Sequence, residues 1–171
     1  GDELGEVVGA YNDMVARINR REVALRDSEE RLRGAVSSMQ EGFMLYDGDD
    51  RLVAWNDAFL RMAPQSRKII RVGITFEEIL RNAVAKDTPP AAKGNEESFI
   101  RQRLRAHNDP RSSFVLEIAG SGTFIVKESR TPEGGTATSF IDISELKQTE
   151  EDLRIAMAEV ERGSHAKSEF L

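Results

Sequence analysis

Few residue patterns in this 171-residue chain suggest acid–base or metal chemistry. Two acidic pairs, Glu77-Glu78 and Glu96-Glu97, could supply paired carboxylates. Adjacent residues of a helix point in different directions, so these pairs fit a solvated face better than a shared site. The chain has no cysteine, which excludes disulfides, thiolate metal sites and cysteinyl cofactor adducts. Two histidines remain, His107 and His165, and no glycine-rich phosphate loop accompanies them.

The composition predicts one ordinary domain with additional helix. A hydrophobic content of 39% can build one core, and the length does not allow two large domains. The net charge of −6 argues against nucleic acid or an anionic membrane surface as the main partner. No run approaches the ~18 consecutive apolar residues of a membrane span. Gly1 leads into a charged helical pattern rather than a signal peptide.

The first forty residues carry a heptad repeat. Glu22 and Glu29 occupy seam positions and Val23 lies out of register, which predicts a weakened or re-phased coil between Arg21 and Glu29. A repeat longer than ~25 residues favours a coiled coil over the alternative, one amphipathic helix on a globular core. We expect a parallel dimeric coil whose apolar residues alternate at steps of four and three: Leu4, Val8, Tyr11, Val15, Ile18, Leu25, Leu32, Val36 and Met39.

Residues 41–143 change to short strands and helices. The stretch GFMLYDGDDRLVAWN places two apolar runs around an Asp-Gly turn, which predicts a β-hairpin. Three helical stretches follow, NDAFLRMA with a cap at Asn56 or Asp57, then ITFEEILRNAVAK and EESFIRQRLRAHNDP. SSFVLEIAG, GTFIVKESR and GGTATSFIDIS, separated by glycine-rich turns, predict three more strands. This order predicts an α+β domain with a five-stranded antiparallel sheet and helices on one face.

Residues 144–171 return to a helical pattern. Ser144 is predicted as the N-cap, and Leu146, Leu153, Met157 and Val160 follow at roughly heptad spacing. The closing residues, AKSEFL, continue the helix without a stop signal. We therefore expect a second long coiled-coil helix.

Four stretches resemble parts of a bacterial sensor histidine kinase. GDELGEVVGAYNDMV resembles the second helix of a HAMP domain, with its Asp-Glu-x-Gly and Asn-x-Met words. EGFMLYDGDDRLVAWNDAFL and TPEGGTATSFIDISELKQTEEDL resemble the start and the end of a PAS domain, with Asp142-Ile143-Ser144 in place of the usual Asp-Ile-Thr. AKSEFL resembles the residues that precede the phospho-acceptor histidine motif.

The resemblance implies an organisation for the chain. Residues 1–40 would be the HAMP second helix and a coiled-coil signalling helix, 41–143 the PAS domain, and 144–171 a coiled-coil helix leading to the kinase dimerisation domain. The chain would stop just before the acceptor motif, so His165, which precedes KSEFL, is not the expected acceptor. The resemblance also implies the cytoplasmic portion of an inner-membrane-anchored homodimeric receptor. The ATP-dependent kinase core and a response-regulator partner would lie outside this fragment, which holds no catalytic residue, metal or cofactor.

PAS domains often hold a small molecule between the sheet and the helices. Haem-binding members use a histidine on the helix before the third strand, where His107 is the candidate. Its neighbours Arg105, Asn108 and Asp109 suggest an exposed helix end instead of an apolar haem wall, so we do not expect haem. Cysteine-based flavin photochemistry is excluded. An unknown ligand stays open beside plain core packing, with these candidate lining residues: Phe43, Leu45, Trp55, Phe59, Leu80, Phe124 and Phe140.

The predicted function is to transmit a conformational signal. A shift in the upstream helix would change coil register or PAS packing, and the exit helix would pass one of two arrangements to the kinase core. Asp142 and Ser144 are the predicted coupling residues, although Asp142 could be a simple turn or cap acid. A ligand- or cofactor-sensing PAS domain and a purely structural dimerisation module stay open. A diguanylate cyclase parent is less expected, because in that class a sequence other than KSEFL follows the PAS exit helix.

Overall fold

The computed structural model describes residues 2–110 and 113–170, and the chain divides into two compact units between Met39 and Gln40. Gly1, Arg111, Ser112 and Leu171 lie outside the described residues, so the parts of the predicted helices and third strand that include them are not described. The first unit is one helix, α1 (Asp2–Ser38), which continues unbroken through the predicted weak segment. None of its described residues is buried within the unit, because a lone helix has nothing to pack against.

The second unit is built on the predicted five-stranded antiparallel sheet. The strands lie in the order β2-β1-β5-β4-β3, so the first and last strands of the domain, β1 and β5, pair at its centre. The predicted hairpin of β1 and β2 is confirmed. The strands are β1 (Gly42–Tyr46), β2 (Leu52–Trp55), β3 (Phe114–Ile118), β4 (Gly122–Arg130) and β5 (Thr136–Asp142).

The helices of this unit also follow the predicted order. They are α2 (Asp57–Met62), α3 (Phe76–Ala85), α4 (Glu96–Asn108) and α5 (Ser144–Glu169), with short 3₁₀ turns at Pro64–Ser66 and Pro90–Ala92. Asn56 is confirmed as the cap of α2, since its side-chain oxygen accepts from the Phe59 amide at 3.0 Å. A capping box that was not among the predicted features begins α3, where the side chains of Thr75 and Glu78 accept from each other's amides.

The core lies on the face of the sheet that the side chains of Met44 and Tyr46 share. Residues along β1 alternate between this buried face and a half-buried one that includes Phe43 and Leu45. The buried apolar side chains packed there are Met44, Tyr46, Leu52, Phe59, Ala63, Ile74, Ile79, Val126 and Phe140. A smaller cluster of Val84, Ala92 and Ile100 packs α3 against α4.

Candidate functional site

A cavity of about 90 Å³ lies between the sheet and helices α2 to α4. An ordered water needs at least ~10–15 Å³, so the space suits several waters or a small organic group. Its wall is mainly aromatic and aliphatic, with a smaller number of polar side chains. Prominent among its apolar lining residues are Met44, Phe59, Phe76, Leu80, Phe99, Phe114, Val126 and Phe140.

Three of the seven predicted lining residues border this cavity, namely Phe59, Leu80 and Phe140. Phe43 and Leu45 do not, because they lie on the opposite side of β1 from Met44 and Tyr46, which border the cavity. Trp55 packs at the margin of the core, and Phe124 is buried in a separate depression beside Ala58 and Asp142. Apolar type alone did not reveal which strand face each residue occupies.

Three of the polar side chains in this cavity wall, Arg103, Glu128 and Thr138, lie on neighbouring elements. Glu128 on β4 lies directly opposite Thr138 on β5, and its carboxylate pairs with Arg103 of α4 at 3.2 Å. The Arg103 guanidinium also lies 3.7 Å from the Phe114 ring centre, a cation–π contact. Thr138 is 3% exposed, and its hydroxyl has no hydrogen-bond partner among the described residues. A buried hydroxyl without a partner is costly, so a bound group or an ordered water would find a partner there.

The prediction that His107 lies at an exposed helix end is wrong. Its ring is 1% exposed, because Ile100, Arg103, Leu104 and His107 form the inward face of α4 while Arg105, like Asn108 and Asp109, faces out. The Nδ1 atom lies 2.6 Å from a Glu128 oxygen and Nε2 lies 2.9 Å from an Asp50 oxygen. Both nitrogens are engaged, so this residue does not fit the axial ligand of a haem.

The surroundings of His107 favour charge on its ring. Burial opposes protonation, but the hydrogen bonds and negative charges of Asp50 and Glu128 outweigh it and raise the pKa of His107. Burial likewise opposes ionisation of Glu128, yet His107 and Arg103 lower the pKa of that carboxyl. Burial, together with Asp50 and Glu128, raises the pKa of the neighbouring Tyr46 well above its usual value, which keeps the phenol neutral.

The junction between β5 and α5 contains the two predicted coupling residues. The Asp142 carboxylate accepts from the Ser144 amide at 2.8 Å, which links the last strand to the first turn of α5. Ser144 is not the N-cap that the sequence predicted, because Ile143 occupies that position. The Ser144 hydroxyl instead accepts from the Thr123 amide of β4 at 3.0 Å. Gly122 permits this approach, since its φ of +133° and its lack of a Cβ leave room for the serine side chain.

The predicted heptad residues form an apolar stripe on α1. Within its own unit, most of this stripe is exposed, including Leu4 at 74% and Leu32 at 65%, while Val15 and Val36 are half-buried. A comparable exposed stripe runs along α5 through Leu146, Leu153, Met157 and Val160. In the described ranges, no helix has the length and apolar character to cross a membrane. The described side chains also bring together no group of three or more potential metal ligands.

The sequence carries little sign of the cluster that Asp50, Arg103, His107 and Glu128 form, in which Asp50 is the most exposed member. Helical spacing was the available signal, because His107 follows Ile100 by seven residues and Arg103 by four, on the apolar face of α4. No local pattern could bring Asp50 to this helix, since it is 57 residues away in sequence. Thr138 carried no signal beyond its alternation with other inward residues of β5.

Comparisons with known proteins identify the fold family. A family model described as PAS fold matches residues 36–151. The chain is 28% identical over 155 residues to the non-motile and phage-resistance protein of Caulobacter vibrioides, covering 84% of this chain and 16% of that protein. It is 25% identical over 166 residues to the sensor protein kinase WalK of Staphylococcus saprophyticus, covering 93% of this chain and 24% of the kinase. The chain thus spans about a sixth to a quarter of these relatives.

A solved structure of similar fold is the PAS domain of Bordetella pertussis BvgS. That likeness covers 80% of this chain and 98% of the other, with 20% identity and a TM-score of 0.44. The family match covers more than half of the chain and includes every strand of the sheet. The chain therefore belongs to the PAS-fold family.

Proposed function

We propose that this chain is the dimeric relay segment of a sensor histidine kinase, in which α1 and α5 form coiled coils on either side of the PAS domain in sequence. The observation that carries the proposal is the pair of exposed heptad stripes on these two helices. Burying one leucine side chain contributes ~1.5–3 kcal/mol, so a second copy of the chain gives each stripe a strong reason to pair.

The kinase context rests on similarity. Relatives that include WalK are sensor kinases of which this chain matches only a part, and the HAMP-like and KSEFL stretches agree with that placement. In this proposal the inner-membrane anchor and the rest of the HAMP domain belong to the part of the kinase that precedes this chain. The acceptor histidine, the ATP-binding domain and the response-regulator contact belong to the rest of the kinase. The fragment itself is not catalytic.

Asp142 and Ser144 have a defined part in this relay. They connect β5, β4 and α5 through the hydrogen bonds at Ser144 and Thr123, so a change in sheet packing would move the start of the exit helix. A purely structural dimerisation module would not need this coupling. Replacing the PAS domain by coil of matched heptad phase in the kinase therefore separates the two roles, because only the relay loses its signal dependence.

Sedimentation equilibrium of the purified chain tests the dimer. We expect a dimer for the wild type and a shift of at least ~tenfold in the dimer dissociation constant for Ile18→Glu, whose side chain is 47% exposed in the single chain. Ala16→Glu makes the same change of charge two residues away, outside the seam, and should leave association nearly unchanged. A monomeric wild type, or equal effects of the two substitutions, would refute the proposal.

A ligand-sensing role is the second candidate, and the unpartnered Thr138 hydroxyl in the cavity wall favours it. The charges of Arg103 and Glu128 are already paired, so the cavity suits a small uncharged molecule with an apolar body and one hydrogen-bonding group. Native mass spectrometry of the purified chain tests this role. A discrete added mass per subunit that Thr138→Val weakens would support it, whereas the bare mass would favour the relay alone.

A further inference from the structure

His107 lies in a site that joins four elements of the PAS domain. Its ring, on α4, contacts Glu128 of β4 and Asp50 of the β1–β2 turn. Phe76 of α3 stacks on the ring at 3.8 Å between centres with the planes 10° apart. The Glu128 side chain is 3% exposed and that of Asp50 is 32% exposed, so one contact is fully buried and the other lies near the surface.

The geometry fixes the number of protons that the His107 site holds. A neutral imidazole has one donor and one acceptor, whereas an ionised carboxylate only accepts. Two carboxylates at 2.6 and 2.9 Å from the two nitrogens therefore require a proton on each nitrogen, unless a carboxyl holds the second proton. The stacked Phe76 ring also favours a cation, since aromatic faces attract positive charge.

The other groups that face His107 complete the charge balance. On its own helix Arg103 pairs with the second oxygen of Glu128, and from β1 the neutral Tyr46 lies edge-on with its hydroxyl donating to the Met44 sulfur. Asp50 and Glu128 provide two negative charges, and His107 and Arg103 provide two positive ones. Loss of the His107 proton would leave one unbalanced negative charge and turn a ring lone pair towards a carboxylate, both costly in a buried setting.

We propose that His107 is a proton-binding site that latches α4 to β4 and to the β1–β2 turn, and that release of its proton at raised pH opens this latch. The turn is already strained, because Asp50 adopts a left-handed φ of +60°. The site shares Arg103, Glu128 and Phe76 with the cavity wall, so an open latch also changes the cavity. This inference goes beyond the relay and requires neither a dimer nor a kinase.

The sign of the pH effect follows from linkage. The folded-state pKa of His107 is raised above its unfolded value of ~6.5, so the stabilisation is complete below ~6.5 and disappears as the pH rises through the folded pKa. Within that window the unfolding constant grows by up to ~tenfold per pH unit. The opening of the latch should follow the same course.

Nitrogen-15 NMR of the full chain tests the proposal, since the sequence holds only two histidines and His165→Gln assigns the spectrum. We expect both His107 nitrogens to show imidazolium shifts at about pH 6, with a titration midpoint above ~6.5. Amide protection factors at the end of α4 should fall through the same midpoint, by up to ~tenfold per unit, after correction for intrinsic exchange. A neutral ring at about pH 6, or α4 protection that does not change across the midpoint, would overturn the proposal.

Two conservative variants keep the test independent of gross unfolding. Asp50→Asn removes the more exposed carboxylate, and we expect it to lower the His107 midpoint while the sheet remains folded. Asp49→Asn, in the same turn and with no His107 contact among the described residues, is the matched control and should leave the midpoint in place. Equal midpoints in wild type and Asp50→Asn would also refute the latch.

Discussion

Helices α4 and α5 are both attached to strand β4, but by different chemistry. His107 and Arg103 attach α4 through ion pairs to the buried Glu128. At the other helix, the Ser144 hydroxyl accepts from the Thr123 amide, and Asp142 accepts from the Ser144 amide at the exposed junction. The first attachment depends on a titratable proton, whereas the second uses backbone donors that never lose theirs under ordinary conditions.

This difference separates a strong contact that depends on pH from a weaker one that does not. A buried ion pair is costly to break, because removal of one partner leaves an uncompensated charge in a poorly solvated place. An ordinary hydrogen bond near the surface contributes ~0.5–1.5 kcal/mol and can be replaced by water. We therefore expect α4 to respond to pH and to substitution far more than the start of α5.

The largest effect should come from breaking the α4 attachment. Glu128→Gln removes the charge shared by His107 and Arg103, and we expect a loss of roughly 3–5 kcal/mol in the free energy of unfolding. Urea unfolding monitored by the single tryptophan, Trp55, measures it within the PAS unit. Glu117→Gln on the exposed side of β3 is the matched control and should stay within ~0.5 kcal/mol of the wild type. A loss for Glu128→Gln as small as that of the control would show that the ion pairs contribute little.

A smaller loss is expected from crowding the α5 attachment. A Cβ at Gly122 would collide with the Ser144 hydroxyl and sit on a backbone of φ +133°, so Gly122→Ala should cost ~1–3 kcal/mol. Adding Ser144→Ala removes the collision and should restore part of the loss, measured by the same urea unfolding. Gly120→Ala, with φ +75° and open space around its Cβ, shows the cost of alanine at a positive φ without a collision. If the double variant is no more stable than Gly122→Ala, the contact with Ser144 is not the reason that position 122 requires glycine.

Removal of the exposed acid at the junction should cost less again. Asp142→Ala deletes one hydrogen bond to the Ser144 amide, and we expect a loss of ~0.5–1.5 kcal/mol that is the same at pH 6.5 and at pH 9. In the complete kinase, the same substitution should weaken the signal dependence of autophosphorylation if the relay proposal holds. Glu145→Ala, in the first turn of α5, removes the same charge and is the control. Unchanged signal dependence would show that Asp142 has no part in the relay and that its hydrogen bond to Ser144 only stabilises the fold.

The smallest effect should be a gain. Thr138→Val replaces a buried hydroxyl without a described partner by a methyl group of similar shape, so the free protein should become more stable by up to ~1 kcal/mol. Thr136→Val, in the same strand, is the contrast, because its hydroxyl accepts from Arg130 at 3.1 Å and its loss should destabilise. A destabilised Thr138→Val variant would indicate that water or another group already satisfies the hydroxyl.

The fold could be predicted because its signals are local. Alternation in the strands, turn residues such as those after Tyr46 and the cap at Asn56 each act within a few positions, and together they gave the element order. The side of β1 that faces the helices could not be predicted in this way. It depends on the pairing register of the strand, and in this register Phe43 and Leu45 lie outside the cavity.

The buried charges were missed for a related reason. The polar sequence neighbours of His107 predict an exposed position, yet those neighbours occupy the opposite face of α4. Its partners Asp50 and Glu128 come from distant parts of the chain, 57 and 21 residues away. Ser144 likewise does not cap α5 as predicted, because the fold brings the Thr123 amide to its hydroxyl. The contacts of both side chains thus depend on long-range pairing of polar groups, which local sequence patterns do not predict.

The free energy of unfolding of the wild type and of His107→Gln, measured by urea titration from about pH 6 to about pH 9.5, tests the contrast between the two attachments most directly. The wild type should lose stability as the pH rises above ~6.5, by up to ~1.4 kcal/mol per unit until the folded pKa of His107 is passed. His107→Gln should be less stable at low pH and should lack this decline, whereas Asp142→Ala should retain it in full. A wild type whose stability declines no more than that of His107→Gln over this range would contradict the account.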